Sequence, residues 1–473
     1  MIGLCPPSLF RDDVNLEYHT FKSASQKVER KNNSIRVCLD YGEAYGNLGE
    51  EAMLMSAIDR LTNLLGECKY VIPVDWRQPL PKLPSNTILV SKPRIVLRVV
   101  GRIVRCLLRI SAYLPVVGRP LRHEGAAFEV LVWKTACPVF CGLMRLLTWL
   151  PGPIAHSIHA IRTCDIFYSV GSGAFNDYNL PYFIYRSWLY RIVRPSTKVS
   201  VVSSHGLGPL NLAWAQAKTK ECFSNVDILS FRDCCFSEAI IKNLGISLPK
   251  CHVVGDETFS LRFNLNEANA LLSAIGIQNG ESFIAFHFRA TDCTKKMDFL
   301  YPKIAHIMDR ICETVPHRLV FFPMSYHTWN DQECGQAIRK HMTKPGRLLL
   351  APLSKNARAV KGAIGRAAYS LGLSYHVHVF ALSQGKPAIV LYTGEFYRLK
   401  STGLIDFYGE PCKAIDVETV DTEDIIKAVE ELEQNYGEAI EKIAKVNCRI
   451  QQMNDWHLRE MKAMLDHQQE DLP

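Results

Sequence analysis

Residues 35–51 have the sequence IRVCLDYGEAYGNLGEE, an apolar run that passes through glycines into a helix-like segment. The apolar run at 35–39 has the length of a short buried strand. Gly42, Gly46 and Gly49 then predict a turn, because glycine adopts the backbone conformations that tight turns need. The following EEAMLMSAIDRLTNLLG has apolar side chains at helical spacing. Strand, turn and helix in this order form the repeating unit of an α/β fold.

The same order recurs along most of the chain. Strands of a first half are predicted at residues 35–39, 70–73, 87–90, 165–170, 198–203, 227–231 and 251–254. Strands of a second half are predicted at 283–289, 318–322, 347–350, 371–374 and 387–391, with helices at 301–315 and 376–382. This alternation predicts parallel sheets that are covered by helices on both faces. Two such halves form a crevice at the carboxyl ends of their strands, which is the usual place of a ligand.

The length of 473 residues suits two large domains. We expect a polar N-terminal extension at 1–33, an N-terminal α/β domain at 34–275, a C-terminal α/β domain at 276–420 and a helical region at 421–473. The first domain is expected to contain a basic and apolar helical insertion at 92–160. Hydrophobic residues make up 48% of the chain and charged residues 22%, which excludes a disordered, collagen-like or coiled-coil chain.

The net charge of +8 is concentrated in one segment. Residues 92–122 contain no Asp or Glu, and their cations are Lys92, Arg94, Arg98, Arg102, Arg105, Arg109, Arg119 and Arg122. The rest of the chain has as many acidic as cationic side chains. A clustered excess of charge indicates a partner, whereas an excess that is spread over the surface does not.

The cysteines, the first residues and the apolar segments indicate in which cellular compartment the protein is expected. The 16 cysteines lack the paired spacing of a zinc site, so we expect them to be reduced and mostly buried. The first residues lack the basic start and apolar run of a secretory signal, which predicts a cytoplasmic protein. The apolar run at 130–150 is interrupted by Lys134, Pro138 and Arg145, so no membrane-spanning helix is expected.

Three glycine-containing turns follow predicted strands. The first, Asn47-Leu48-Gly49-Glu50, opens a helix whose free N–H groups can bind an anion. The others are Gly171-Ser172-Gly173 and His205-Gly206-Leu207-Gly208-Pro209. Each is also compatible with a turn that needs small residues for its backbone alone. His205 can either face the crevice or form a structural hydrogen bond.

Two further residues carry charge or titrate at strand ends. Arg232 closes the strand ILSF, and it can pair with Asp233 or bind an anion through its two-pronged guanidinium. His376 begins a helix in the second half and suits general acid/base catalysis, because imidazole titrates near neutrality. His378 follows two residues later, but no third ligand accompanies the pair, so no metal is expected.

Taken in order, these segments resemble the polysaccharide pyruvyl transferase family over roughly residues 35–410. The matching features are the Asn47-Leu48-Gly49-Glu50 turn, with Glu where Asp is usual, Gly171-Ser172-Gly173, Gly206-Leu207-Gly208-Pro209, Arg232-Asp233 with Ser237, Asp256 before Phe259, and His376 before Gly385-Lys386-Pro387. The resemblance implies two Rossmann-like domains that face each other across a crevice, a glycosyltransferase-B-like fold. It also implies transfer of pyruvyl to a pair of sugar hydroxyls from phosphoenolpyruvate, which is a co-substrate rather than a cofactor.

The resemblance also implies roles for individual residues. Arg232 matches a donor-binding arginine, and His376 matches the acid/base histidine. Arg289, at the end of the first strand of the second half, is expected to supply another anion contact. The remaining expected substrate-binding residues are Asn47, Gly49, Gly171, Gly173, His205 and His327.

Two cations of the family pattern are missing. Ser374 stands where the family commonly has Arg, and Glu395 stands where it commonly has Lys. Arg398, Lys400 or His327 could replace them. Otherwise the donor is held differently, the substrate has changed, or activity is lost.

Two competing functions stay open at this stage. A nucleotide-sugar-dependent glycosyltransferase of similar fold would be favoured by an acidic residue placed for a ribose in the second half. A catalytically inactive descendant would lack a cluster of cations around His376.

The basic segment suggests a second partner. Arg98, Arg102, Arg105 and Arg109 are spaced to line one face of a helix with apolar residues between them, which is typical of binding to an anionic membrane surface. The alternative is a helix that covers the sheet while its arginine stems reach outward. No recognised module or aromatic interleaving indicates nucleic acid. With the resemblance, this predicts peripheral attachment to the inner face of the cell membrane and a cell-surface glycan, or its lipid-linked precursor, as acceptor.

Overall fold

The computed structural model describes residues 34–42, 46–75, 81–111, 126–246, 250–289, 297–327 and 330–470. The expected polar extension at 1–33 lies outside these residues, as do Arg119 and Arg122 of the basic segment.

The chain forms two parallel sheets in succession. The first has seven strands in the order β3-β2-β1-β4-β5-β6-β7, and the second has six in the order β10-β9-β8-β11-β12-β13 among the described residues. The first-sheet strands are β1 Arg36–Asp40, β2 Lys69–Val74, β3 Thr87–Ser91, β4 Ile166–Ser169, β5 Val199–His205, β6 Ile228–Phe231 and β7 Cys251–Val253. The second-sheet strands are β8 Phe283–His287, β9 Arg318–Phe321, β10 Leu348–Leu350, β11 Tyr369–Gly372, β12 Ala388–Tyr392 and β13 Lys413–Asp416.

Helices connect the strands and cover both sheets. In chain order they are α1 Leu48–Leu65, α2 Arg94–Ser111, α3 Ala126–Leu147, α4 Pro153–Arg162, α5 Leu180–Val193, α6 Ala213–Phe223, α7 Ala239–Asn243, α8 Leu265–Ser273, α9 Met297–Thr314, α10 Asp331–His341, α11 Ala357–Ile364, α12 Tyr375–Leu382, α13 Gly394–Ile405, α14 Thr422–Gln434, α15 Tyr436–Asn454 and α16 Trp456–Glu470. The central strands β1, β4, β5 and β8 are buried along most or all of their length because helices pack on both faces. The predicted class, two Rossmann-like α/β halves, is confirmed.

The C-terminal helices connect the two halves. Ile425 and Val429 of α14 are buried in the core beside the second sheet, whereas Leu458 and Met461 of α16 are buried in the core beside the first. Where α15 ends, Arg60 of α1 forms ion pairs with Glu257 at 2.6 Å and with Asp455 at 2.8 Å. The segment predicted as one helical region therefore runs from the second half back to the first.

The basic and apolar segment 92–160 forms α2, α3 and most of α4, between β3 and β4. A Cβ atom at Gly101 of α2 would lie 2.5 Å from the ring of Trp133, so the glycine lets α3 approach closely. Arg105 of α2 also pairs with Glu129 of α3 at 2.8 Å. That this segment is an insertion relative to similar proteins stays a prediction.

Helix α3 is the one described helix that is long and apolar enough to cross a membrane, although the sequence predicted none. Length and composition alone are weak evidence, because a core helix of a soluble protein passes the same test. One side of α3 is buried in the core of the first half, through Phe128, Val132, Ala136, Phe140 and Met144.

Candidate functional site

A cavity of about 360 Å³ opens between the two halves at the carboxyl ends of the strands. Its lining comes from both halves and comprises Asn47, Glu50, Arg94, Ser172, Gly173, Ala174, Asn179, Tyr182, His287, Arg289, Leu373, Ser374, Tyr375, His376, Phe396, Tyr397 and Lys400. The backbone N–H of Leu48 donates to the carbonyl of Met324 at 2.8 Å, which joins the start of α1 to the second half. The cavity is thus at the crevice that the strand order predicts.

The first turn of α1 explains the motif Asn47-Leu48-Gly49. Asn47 is the N-cap, and its side-chain oxygen accepts from the N–H of Gly49 at 3.0 Å. A Cβ atom at residue 49 would lie 1.9 Å from Nδ1 of His376. Glycine is therefore needed here because the imidazole of the second half packs directly on the α1 backbone.

Glu50 and His376 present unpartnered polar atoms at the cavity. Nε2 of His376 and Oε2 of Glu50 are buried and have no hydrogen-bond partner among the described residues. The Glu50 carboxylate packs against the backbone of Gly42, directly after β1. Since buried polar atoms are normally paired, two unpaired ones in one cavity indicate a ligand-binding role.

Arg232 is 5% exposed and lies beneath two of the glycine turns. A Cβ at Gly206 would lie 2.2 Å from its Nε, and a Cβ at Gly173 would lie 2.6 Å from its Nη2. Its guanidinium also lies over the ring of Tyr375, 4.5 Å from the centroid. The two turns are glycine-rich because any larger residue would displace this cation from the cavity wall.

Arg232 forms a buried ion pair with Asp256, whose Oδ2 lies 3.8 Å from Nη1, rather than with the neighbouring Asp233. Asp233 caps the helical turn that follows, accepting from the N–H of Ser237 at 2.8 Å and from its hydroxyl at 2.6 Å. The Ser237 hydroxyl in turn accepts from the N–H of Leu207 at 3.0 Å. The motif Arg-Asp with a following Ser thus fixes the Gly-x-Gly-Pro turn beside Arg232.

Arg289 lines the cavity and is oriented by Asp331 of α10. The guanidinium donates to both carboxylate oxygens of Asp331, and His287 pairs with Oδ2 at 3.0 Å. Although burial opposes ionisation, His287 and Arg289 hold the pKa of Asp331 well below its usual range. The ionised Asp331 therefore keeps Arg289 in a fixed position at the cavity wall.

The structure places three other predicted site residues away from the cavity lining. His205 is fully buried, contacts the carbonyl of Ser203 through Nδ1 at 2.9 Å and pairs with Arg186 through Nε2. Burial and Arg186 lower its pKa well below the usual value, so it is a neutral structural residue. Gly171 packs against Met53 and the Ser204 backbone, and His327 is exposed beside the turn at Gly46. None of these three residues is among those that line the cavity, and their contact with the donor stays a prediction.

Two cations in the cavity were not assigned to the site from sequence alone. Lys400, named only as one possible replacement, extends from α13, and its Nζ lies 4.1 Å from the Phe396 ring centroid. Arg94, counted as part of the surface cluster, lines the cavity from the first residue of α2. Arg398, by contrast, forms an exposed ion pair with Glu395 at 2.8 Å. Lys400, rather than Arg398 or His327, is thus the candidate replacement that lines the cavity.

The environment sets the proton-transfer capacity of the two unpartnered groups. Burial raises the pKa of Glu50 to about 7, against the opposing effect of Lys400 and Arg232. Burial lowers the pKa of His376 to about 4, and although Asp256 opposes this shift, Arg232 and Lys400 add to it. At neutral pH the imidazole is therefore an unprotonated base, while the raised pKa of the carboxyl group lets it carry a proton.

Other features of the described residues do not form a comparable site. A second cavity of about 390 Å³ is lined mainly by apolar atoms, and neither His376 nor Arg289 borders it. No group of three or more His, Cys, Asp or Glu side chains in the described ranges is arranged to hold a metal ion.

Solved structures with the same arrangement of sheets support the fold. The UDP-GlcNAc 2-epimerase of Neisseria meningitidis, bound to UDP-GlcNAc, is 13% identical with a TM-score of 0.50, and the match covers 91% of this chain and 100% of that one. The Anabaena protein HepE in complex with UDP-glucose is 10% identical with a TM-score of 0.52, covering 90% and 99%. At these identities the likeness shows the glycosyltransferase-B-like fold alone.

The sequence itself identifies the family. No curated protein sequence matches this chain closely enough to be counted as a relative. The family model for polysaccharide pyruvyl transferase, however, matches residues 47–395, well over half of the chain. The match begins at the N-cap of α1 and ends on α13, so it spans the cavity from Asn47 to the start of the helix that carries Lys400. The chain belongs to the polysaccharide pyruvyl transferase family, and it is a transferase.

Proposed function

We propose that this transferase moves pyruvyl from phosphoenolpyruvate to a pair of sugar hydroxyls on a cell-surface glycan or its lipid-linked precursor. The observation that carries the proposal is the convergence of cations on His376. Arg94, Arg289 and Lys400 line the same cavity, and Arg232 lies against its wall at Gly173. Phosphoenolpyruvate carries a phosphate and a carboxylate, and both anionic groups need cationic partners.

The same cluster supports activity in spite of the two missing family cations. Ser374 lines the cavity, so the position of the absent arginine is open to side chains from elsewhere. Arg94 enters from α2, and Lys400 enters from α13, the helix that also holds Glu395. We assign these two residues the task of binding the donor anions that the family arginine and lysine would bind.

The proposed chemistry uses Glu50 and His376 in opposite directions. Protonated Glu50 gives its proton to the methylene carbon of phosphoenolpyruvate, which leaves a cation at the carbon that bears the phosphate. A sugar hydroxyl bonds to that carbon while neutral His376 takes the hydroxyl proton. The second hydroxyl then bonds to the same carbon while the bond between that carbon and the phosphate oxygen breaks. The proton of the second hydroxyl goes to Glu50, which is thereby protonated again. His376 gives the proton that it took from the first hydroxyl to the departing phosphate.

The competing nucleotide-sugar activity lacks its distinguishing feature. A ribose site in the second half calls for an acidic residue there, and the described residues from that half that line the cavity include no Asp or Glu. The ligands of the epimerase and of HepE belong to those proteins, whose likeness to this chain extends to the fold. Pyruvyl transfer therefore explains the lining better, because it needs cations for the donor anions but no carboxylate for a ribose.

The test is incubation of the purified protein with phosphoenolpyruvate and a panel of glycans, with phosphate release and product mass as readouts. We expect release with at least one acceptor and its loss in His376→Asn. Arg398→Gln is the matched control, since Arg398 is exposed and paired with Glu395 outside the cavity. Calorimetry with phosphoenolpyruvate alone separates a missing acceptor from a wrong donor. If a UDP-sugar binds and phosphoenolpyruvate does not, the proposal is rejected.

A further inference from the structure

Helix α2 has a buried face and an outer face of different character. Leu97, Val100 and Val104 are buried in the core of the first half. Val99 is 48% exposed, although the residues on either side of it along the chain are less exposed. Ile103 is 53% exposed and Leu107 is 60% exposed. The helix therefore presents apolar side chains to solvent in addition to those that anchor it.

The exposed apolar residues form a continuous stripe. Val99, Ile103 and Leu107 are four residues apart, so they lie above one another over about 12 Å of the helix. Arg102 and Arg109 are exposed beside this stripe. Isolated apolar residues on a surface are common, but an aligned stripe bordered by cations is a mark of an interaction surface.

The outer face of α2 exposes fewer cations than the sequence of residues 92–122 contains. Lys92 is buried, with its ammonium 3.7 Å from the carboxylate of Asp40, and Arg94 lines the cavity. Arg105 is paired with Glu129. The exposed cations of α2 are therefore concentrated at the two arginines that border the stripe.

The neighbouring helix continues the apolar exposure. Val139 and Leu146 of α3 are each more than half exposed, and Trp149 in the following turn is 84% exposed, with Leu150 beside it. Tryptophan favours the boundary between water and lipid because its ring is apolar and its N–H is polar. Exposed apolar side chains are thus concentrated on α2, α3 and the turn after α3.

We propose that the outer face of α2 docks on an anionic lipid bilayer. Val99, Ile103 and Leu107 insert at the boundary between headgroups and acyl chains, while Arg102 and Arg109 contact the lipid phosphates. The combination of an apolar stripe with flanking cations fits this occupant, since an anionic surface with an apolar interior is complementary to both. The core side chains of α3 stay buried, so the attachment is peripheral.

Docking through α2 also bears on how the acceptor reaches the cavity, and this part of the proposal rests on the proposed function. Arg94 lines the cavity, and Val99 is five residues further along α2, or about 7.5 Å along the helix axis. A bilayer at the stripe is therefore close to the cavity. This position suits a glycan acceptor that is attached to a membrane lipid.

The closing experiment measures binding to vesicles in the absence of substrate, so its failure leaves the proposed pyruvyl transfer untouched. The full-length protein is sedimented with vesicles of phosphatidylcholine alone or with about one-third phosphatidylserine. We expect recovery with the anionic vesicles only. Ile103→Asn with Leu107→Asn, and separately Arg102→Gln with Arg109→Gln, are each expected to lower the affinity roughly 10-fold or more. Leu265→Asn is the control, because Leu265 is equally exposed, at 54%, on α8.

Several results would overturn the docking proposal. These are equal recovery with neutral and anionic vesicles, no recovery with either, or an equal loss in the Leu265 control. Self-association that the α2 variants abolish would instead identify a second copy of the chain as the occupant. Protein that resists alkaline extraction from cell membranes would indicate that α3 spans the bilayer. Melting temperatures close to that of the parent chain verify that the variants fold.

Discussion

Arg232 and Arg102 carry the same charge in opposite surroundings. Arg232 is 5% exposed, lies under two glycine turns and stacks on the Tyr375 ring, whereas Arg102 is exposed on the outer face of α2. The net charge of +8 depends on arginines such as Arg102 and gives no information about Arg232. The position of an anion site is thus decided by the few cations that the backbone encloses, and an excess on the surface indicates a different kind of partner.

The two surroundings also differ in how charge acts at a distance. A buried cation interacts through a medium of low dielectric constant, so its attraction to an anion is strong and weakly screened. An exposed cation is screened over about 8 Å at physiological ionic strength. We therefore expect the cavity to hold one anion in a fixed orientation, and the α2 face to respond to the summed charge of many lipids.

The largest effect is expected for Arg232→Gln. The variant keeps a polar side chain under Gly173 and Gly206 but removes the buried charge, so kcat/KM for phosphoenolpyruvate should fall roughly 10³-fold. Steady-state phosphate release measures it, and the melting temperature separates lost charge from lost folding. Arg398→Gln on the exposed side of α13 should retain parent activity. Comparable losses in both variants would mean that burial does not distinguish the two arginines.

Glu50→Gln is expected to lower kcat/KM roughly 10²-fold and to change its pH dependence. Glu50 must be protonated to act as an acid, and its pKa is about 7, so activity should fall as the pH rises through about 7. His376 must be unprotonated, and with a pKa of about 4 it limits activity only in more acidic solution. The fall near pH 7 should be absent from the residual activity of Glu50→Gln. If that variant keeps it, another group is the acid.

Lys400→Gln is expected to have a smaller effect, because Lys400 is one of several cations that line the cavity. We expect KM for phosphoenolpyruvate to rise roughly 10-fold, with kcat changed less. Lys400→Arg should recover part of the affinity. A normal KM in Lys400→Gln would show that the donor anions contact Arg94, Arg289 and Arg232 without help from α13.

Much of the fold could be predicted because parallel strands that are buried on both faces appear as continuous apolar runs. β13, at the edge of the second sheet, was not predicted, because it is not buried on both faces. Its residues Lys413-Ala414-Ile415-Asp416 are all only half-buried and include two charged side chains, so no apolar run marks it. The sequence also did not show which face of α2 is buried. Val99 and Val100 are equally apolar in the sequence, and only packing shows that Val99 is the exposed one.

The residues of the candidate site also divide into those that could be predicted from the sequence and those that could not. That Gly49, Arg232 and His376 lie close together could be predicted, because each belongs to a short motif whose order along the chain is informative. Lys400 and Arg94 could not be placed with them, because their positions depend on how α13 and α2 are rotated against the sheets. The burial of His205 depends on its partner Arg186, which comes from α5 and has no motif in common with it.

The smallest effect is expected for a single charge on the outer face of α2. Arg109→Gln removes one exposed cation, which is worth about 1 kcal/mol at an anionic surface, so affinity for phosphatidylserine-containing vesicles should fall roughly fivefold. Turnover of a soluble acceptor should not change, because Arg109 is not part of the cavity lining. Arg339→Gln is the matched control, since Arg339 is an exposed arginine on α10 in the second half. If Arg339→Gln weakens vesicle binding as much as Arg109→Gln, then the bilayer responds to the total charge of the protein and the α2 stripe has no special role. A fivefold loss in Arg109→Gln alone would mean that the position of the charge matters on the surface as it does in the cavity.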